Sequence, residues 1–185
     1  CDGLKVRTWE SMRRIEYKTD QQFQWMAKAG VVTSRALDAA VAAVAPDVTT
    51  GELDRVFRGV LEEYGATSNF LGYYDYPATI CASVNDEVVH GIPGDRVLKS
   101  GDIISIDGGA IVQDPATGKT WNGDSARTVL VGEGSDQRQE LSDVTRAAMW
   151  HGIAAAASAR KVGEIGVAIE DLSLIHISEP TRPRL

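Results

Sequence analysis

Asp107 and Asp124 are the residues of this 185-residue sequence best placed to do chemistry. Asp107 ends the apolar run Ile103-Ile104-Ser105-Ile106, where a carboxylate among β-branched residues is costly to bury without a partner. Asp124 lies in the next β-rich run, Trp121-Asn122-Gly123-Asp124-Ser125-Ala126-Arg127, and the turn residues Asp114-Pro115-Ala116-Thr117-Gly118 stand between the two. The pattern predicts a hairpin. If residues 114 and 117 close it, Asp107 faces Asp124 directly; if 114 and 119 close it, the two are diagonal. Side chains alternate faces with period 2, so both registers leave the carboxylates on one face. Like charges side by side destabilise a sheet unless something positive lies between them, and hard divalent cations take such oxygen ligands. In the plainer reading Asp124 meets Arg127 or a backbone amide, and Asp107 merely leads a strand into a turn.

His90, in Val88-Val89-His90-Gly91-Ile92-Pro93, is the second candidate. It is expected to end a strand over 87–90 before a Gly-Ile-Pro turn, where an imidazole suits hydrogen bonding to an amide or proton transfer near neutral pH. A half-buried histidine satisfied by a carbonyl is the plainer alternative. His151 sits mid-helix among alanines and reads as a packed or surface residue. The aromatic cluster Phe70-Leu71-Gly72-Tyr73-Tyr74-Asp75-Tyr76-Pro77 reads as a loop whose rings could line an apolar pocket, or form a satellite cluster. Cys81 follows as a small buried hydrophobe or as part of that pocket. No Gly-x-Ser-x-Gly elbow, P-loop or His-Glu-x-x-His motif is present.

These residues need a frame. Thr19 and Gln22 stand at capping-box spacing, and Trp25, Ala29, Val32, Ala36, Ala40 and Val44 recur at helical period before Pro46. Thr49 and Glu52 open a second helix with the stripe Leu53, Val56, Phe57, Val60 and Tyr64, ending at Gly65. Strand-like runs follow at 78–84, 87–90, 103–112 and 121–131. Ser135 opens a third helix and Val162-Gly163 a fourth. Helices, then strands, then helices suit an α+β layer fold.

Hydrophobic residues make up 43% of the chain and charged residues 24%, so a packed core is expected rather than disorder. The net charge of −7 argues against a nucleic-acid-binding surface. Two distant cysteines, Cys1 and Cys81, support neither a disulfide framework nor a zinc finger, and a reducing, cytoplasmic setting is the simpler expectation. No apolar run reaches the roughly 18 to 20 residues of a membrane span. The start at Cys1, without a Met or a signal peptide, suggests a chain that begins inside its reading frame.

Read together, Thr49-Thr50-Gly51-Glu52-Leu53-Asp54, Gly72-Tyr73-Tyr74-Asp75-Tyr76-Pro77, the block from Cys81 through Asn85-Asp86-Glu87-Val88-Val89-His90-Gly91-Ile92-Pro93, Gly101 to Asp107, Asn122-Gly123-Asp124-Ser125 and Val162 to Ile169 resemble the type I methionine aminopeptidases. The resemblance implies a pita-bread α+β fold of two pseudo-symmetric halves around a dinuclear metal site, here the N-terminal half and the start of the second. It implies hydrolytic removal of the initiator methionine from nascent polypeptides, with two divalent ions (Co, Mn, Fe or Zn) activating water and polarising the methionyl carbonyl. On the same basis Asp107 binds one metal and Asp124 bridges both. His90 contacts substrate near the scissile amide, and Phe70, Tyr73, Tyr76 and Cys81 line the methionine side-chain pocket. A monovalent cation near the backbone of Asn85 and Glu87, ribosome association and a monomeric state go with it, without nucleic-acid or membrane binding.

Two departures stand out. The hairpin tip from Gln113 to Thr120 is longer than usual in the family, and an even extension keeps both aspartates on one face. The family's further metal-binding His, two metal-binding Glu residues and a second substrate-contacting His have no counterpart. The chain divides into an N-terminal extension (1–16), a partial methionine aminopeptidase domain (17–171) and a tail (172–185) that resembles the translation of a sequencing-library adapter. A fragment with two of five ligands is expected to hold metal weakly, to have little activity and to leave part of its surface uncovered. A proline-specific peptidase of the same fold is the rival enzyme reading, opposed by the compact His-Gly-Ile-Pro block. A metal-free binding protein is the rival outside enzymes, opposed by the retained aspartate pair.

Overall fold

The computed structural model describes residues 17–176. The N-terminal extension up to residue 16 and the tail from residue 177 lie outside the described residues. Helix α1 (Asp20–Ala42) begins at Thr19, whose hydroxyl accepts from the Gln22 amide while the Gln22 side chain caps the Thr19 amide. Helix α2 (Thr50–Glu63) repeats the device with Thr49 and Glu52. Each box satisfies two amides that a helix start leaves free, so these two short polar motifs fix where both helices begin. Gly65, with φ 62°, ends α2 in the left-handed conformation that glycine adopts without strain.

Four antiparallel strands follow: β1 (Thr67–Ser68), β2 (Ile80–Val84), β3 (Ile103–Gln113) and β4 (Thr120–Leu130). β3 is the spine. β4 pairs along its whole length on one side, while β2 and then β1 share the other. Ile104, Ile106, Ala110 and Val112 of β3 are buried against α1 and α2, joining Leu37, Leu53, Phe57, Leu61, Ile80 and Val84 in one core. Two glycines set the depth of this packing. A Cβ at Gly108 would lie 2.6 Å from the Phe57 ring, and one at Gly123 would lie 2.6 Å from the α1 backbone at Ala29. Thr33 ties α1 to the sheet by accepting the Ala110 amide at 3.1 Å.

Helices α3 (Asp136–Ala156, capped by Ser135) and α4 (Val162–His176) pack on each other, with Ala148 and Gly152 at their contact. α4 runs through the first residues assigned to the tail. Met149, Trp150, Ile153, Val162 and Val167 of this helix pair are exposed. So are Asp124 to Thr128 of β4. These are the uncovered surfaces that the sequence leads one to expect.

One expected strand is not there. Residues 87–90 are irregular, and His90 stands in a loop with φ 60°. Asn85, with φ 59°, turns the chain at the end of β2. The Val84 amide is taken by the Glu87 carboxylate at 2.8 Å, which closes the turn before a strand can form. β1 and the 3₁₀ turn Tyr73–Asp75 were not anticipated either.

Candidate active site

The hairpin adopts the second of the two registers. The Asp114 amide donates to Lys119 O at 2.8 Å, so Asp107 pairs with Ala126 and Asp124 pairs with Gly109. The carboxylates are therefore diagonal neighbours, roughly 7 Å apart at Cα on general ladder geometry, and share the face turned away from the core. Asp114, itself buried, builds the tip by accepting from the Ala116 amide and the Thr117 hydroxyl. Arg127 points to the opposite face, where it bonds Asp38 and Ser34. The plainer reading of Asp124, as a partner of Arg127, is thereby removed.

Cys81 on β2 pairs with Asp107 on β3, which places the thiol in the same row as the first carboxylate. Cys81 is 5% exposed. Burial pushes the Asp107 carboxyl above the ordinary carboxylate range, and the charge of Asp124 pushes it further, while His90 and the Gly108 amide pull it down. Two of the expected site residues, Asp124 and His90, thus act on a third, Asp107. Burial also raises the Cys81 thiol, opposed by the neighbouring Tyr76 hydroxyl. Phe70 and Tyr76 meet edge to face at 6.4 Å, completing a half-buried apolar corner beside Cys81. Tyr73 is different. It is 67% exposed and stacks at right angles on Tyr74, at the rim rather than in the corner.

Asp107 and Asp124 fit a divalent cation. They are two hard oxygen donors on adjacent strands of a rigid ladder, and the charged form of Asp107 is disfavoured by the negative charge beside it. Among the described residues no group of three or more His, Cys, Asp or Glu side chains converges on a metal position. The Asn85 side chain is committed: it accepts from the Ile103 amide at 3.2 Å and from Arg138 at 3.0 Å, and donates to Asp102 at 2.8 Å. His151 is exposed on α3.

Two residues of the site region escaped the sequence reading. The buried Asp54 accepts from the Thr79 amide at 2.7 Å, the Thr79 hydroxyl at 2.6 Å and the Ile80 amide at 3.1 Å, fixing the start of β2. Its place beside Leu53 and Phe57 on the α2 stripe was the available signal. Asn69 lies over Gly109, its Nδ2 reaching Gly123 O at 3.5 Å and its buried Oδ1 without a partner. Nothing in its sequence neighbourhood marks it.

The model of metallopeptidase family M24 matches residues 24–174, most of the chain and all four strands. The chain belongs to family M24. Among relatives of this M24 chain, methionine aminopeptidase 1 of Mycobacterium tuberculosis (strain CDC 1551 / Oshkosh) is 43% identical over 159 residues, which is 85% of this chain and 58% of that protein. The crystal structure of methionine aminopeptidase from Rickettsia prowazekii superposes with a TM-score of 0.80 at 34% identity, covering 88% of this chain and 63% of the other. The Xaa-Pro dipeptidase from Bacillus anthracis shares the fold, with a TM-score of 0.69 at 22% identity over 85% of this chain and 41% of that one. The M24 chain thus spans about three-fifths of the length of the curated relatives it matches.

Proposed function

We propose that this M24 chain is the first part of a methionine aminopeptidase, an exopeptidase that hydrolyses the bond after an N-terminal methionine. The observation that carries the reading is the shared sheet face: Asp107 and Asp124 in adjacent rows, with His90 acting on Asp107 and Cys81 in register beside it. Asp107 and Asp124 would hold divalent metal, Asp124 from the strand edge and Asp107 from the spine. Bound there, the metal supplies a Lewis acid and an activated water. The corner of Phe70, Tyr76 and Cys81 takes an unbranched thioether side chain, a soft apolar surface on a soft apolar wall. Tyr73 closes its rim. His90 hydrogen-bonds the scissile amide from the loop above Asp107 and orients it. Nascent polypeptides bearing an N-terminal Met are the substrate class. A monovalent cation beside the Asn85 and Glu87 backbone, Co, Mn, Fe or Zn as the divalent ion, and monomeric action in the cytoplasm near the ribosome belong to the same reading.

With two donors on the described residues, the 185-residue chain by itself would hold metal weakly and turn over little substrate. The test is direct. A full-length protein that contains this chain, loaded with Co²⁺ or Mn²⁺, is offered Met-Ala-Ser and a Xaa-Pro dipeptide. Methionine release that is lost in Asp124→Asn supports the proposal. Cleavage of the Xaa-Pro substrate with Met-Ala-Ser untouched would replace it with the proline-peptidase reading.

A further inference from the structure

Tyr76 is a wall of the apolar corner, and its hydroxyl has a second role that the wall does not require. The O–H donates toward two carbonyl oxygens, Ile80 at 3.0 Å and Gly91 at 3.3 Å. Ile80 is the first residue of β2, and Gly91 directly follows His90. Burial, followed by the neighbouring Cys81, holds the phenol well above its ordinary range, so the donor keeps its proton at any working pH.

Both ends of this link are fixed independently. Ile80 is held from behind by its backbone N–H, which donates to the carboxylate of buried Asp54 at 3.1 Å. Gly91 accepts the Ala82 amide at 2.8 Å and donates its own amide to Ser83 Oγ at 3.1 Å. The approach is so close that a Cβ at Gly91 would lie 2.4 Å from Ala82 O. His90 is exposed, with left-handed backbone, and is joined directly to the anchored Gly91.

We propose that the Tyr76 hydroxyl is a positioning group that clasps the His90 loop to β2, so that one side chain both walls the apolar corner and sets the place of the histidine. The clasp is independent of metal. Its catalytic value rests on the peptidase reading above.

Amide hydrogen exchange by NMR on the full 185-residue chain tests it. Tyr76→Phe keeps the ring and removes only the hydroxyl. Exchange at Gly91 and Ala82 should quicken about fivefold to tenfold, the worth of one neutral hydrogen bond, while Ser105 and Ile106 at the sheet centre keep their rates. Tyr73→Phe, which removes a rim hydroxyl, should leave Gly91 unchanged. Wild-type exchange at Gly91 and Ala82 in Tyr76→Phe would overturn the clasp, and so would a rise shared by the whole sheet. In the active enzyme, Tyr76→Phe should lower kcat for Met-Ala-Ser more than it raises KM. Unchanged kcat alongside the local exchange effect would keep the clasp and count against His90 as a substrate-contacting group.

Discussion

Asp107 and Asp124 stand diagonally across the β3–β4 ladder, Asp107 opposite Ala126 and Asp124 opposite Gly109. The side chains opposite them are only a methyl and a hydrogen, and the Asn69 side chain lies over Gly109, next to Asp124.

Metal binding should depend on both carboxylates together. With two ligands, the 185-residue chain is expected to bind Mn²⁺ with a Kd weaker than about 10⁻⁴ M, and Asp107→Asn or Asp124→Asn should each abolish measurable binding. Isothermal titration in low-salt buffer would show this. A single variant that binds as tightly as the wild type would remove that carboxylate from the site.

Without metal, the carboxyl of Asp107 should make the fold less stable as pH rises. Burial and Asp124 raise its folded-state pKa above the ordinary value. The folded state therefore holds this proton more tightly than the unfolded one. Its contribution is complete below the unfolded pKa and is lost as pH rises through the raised one. Asp107→Asn should accordingly melt a few degrees above the wild type at pH 7 and show no such advantage at pH 4. Thermal melts in EDTA across that range decide it, and equal melting temperatures at both ends would contradict the assignment.

Phe57 supports the sheet from beneath, directly under Gly108. Phe57→Ala should cost about 3–5 kcal/mol, the usual result of emptying a buried aromatic site. Gly108→Val should also destabilise, since its side chain would enter the Phe57 ring. Urea unfolding followed by far-UV circular dichroism measures both. The combination Phe57→Ala with Gly108→Val should recover part of the loss.

Asp54 is expected to matter more than an average helix residue. Asp54→Ala takes the side-chain acceptor from the buried Thr79 and Ile80 amides and leaves the Thr79 hydroxyl only the residue 54 carbonyl, at a cost on the order of 3 kcal/mol. The loss should fall first on β2, read as faster Cys81 alkylation at neutral pH. Alkylation unchanged from wild type would show that β2 is set by its pairing with β3 alone.

Much of this was legible in the sequence because it rests on local rules. Thr19–Gln22 and Thr49–Glu52 are capping boxes read directly from spacing, and both helices start where they say. The common face of Asp107 and Asp124 follows from strand parity whichever register holds. The register itself was not legible, because it turned on whether residue 117 or 119 closes the tip. Asp114 decides it by spending its carboxylate inside the turn. The strand expected at 87–90 failed for a similar reason: apolar valines suggest β structure, but the Glu87 carboxylate takes the Val84 amide. Asn69 reaches Gly123, far along the chain, and the Tyr76 hydroxyl reaches Gly91 across the β2 turn, and no local pattern encodes either contact.

The outward side of the α3–α4 pair bears on how the polypeptide behaves as a solute. Met149, Trp150, Ile153, Val162 and Val167 are all open to solvent there. Apolar patches beyond a few hundred Å² are uncommon on monomers and adhere to whatever apolar surface is offered. In solution the 185-residue chain should retain on hydrophobic resins, brighten ANS in its native state and scatter light as sulfate is added, a colloidal liability that Trp150→Lys and Ile153→Glu should relieve without touching the aspartate face.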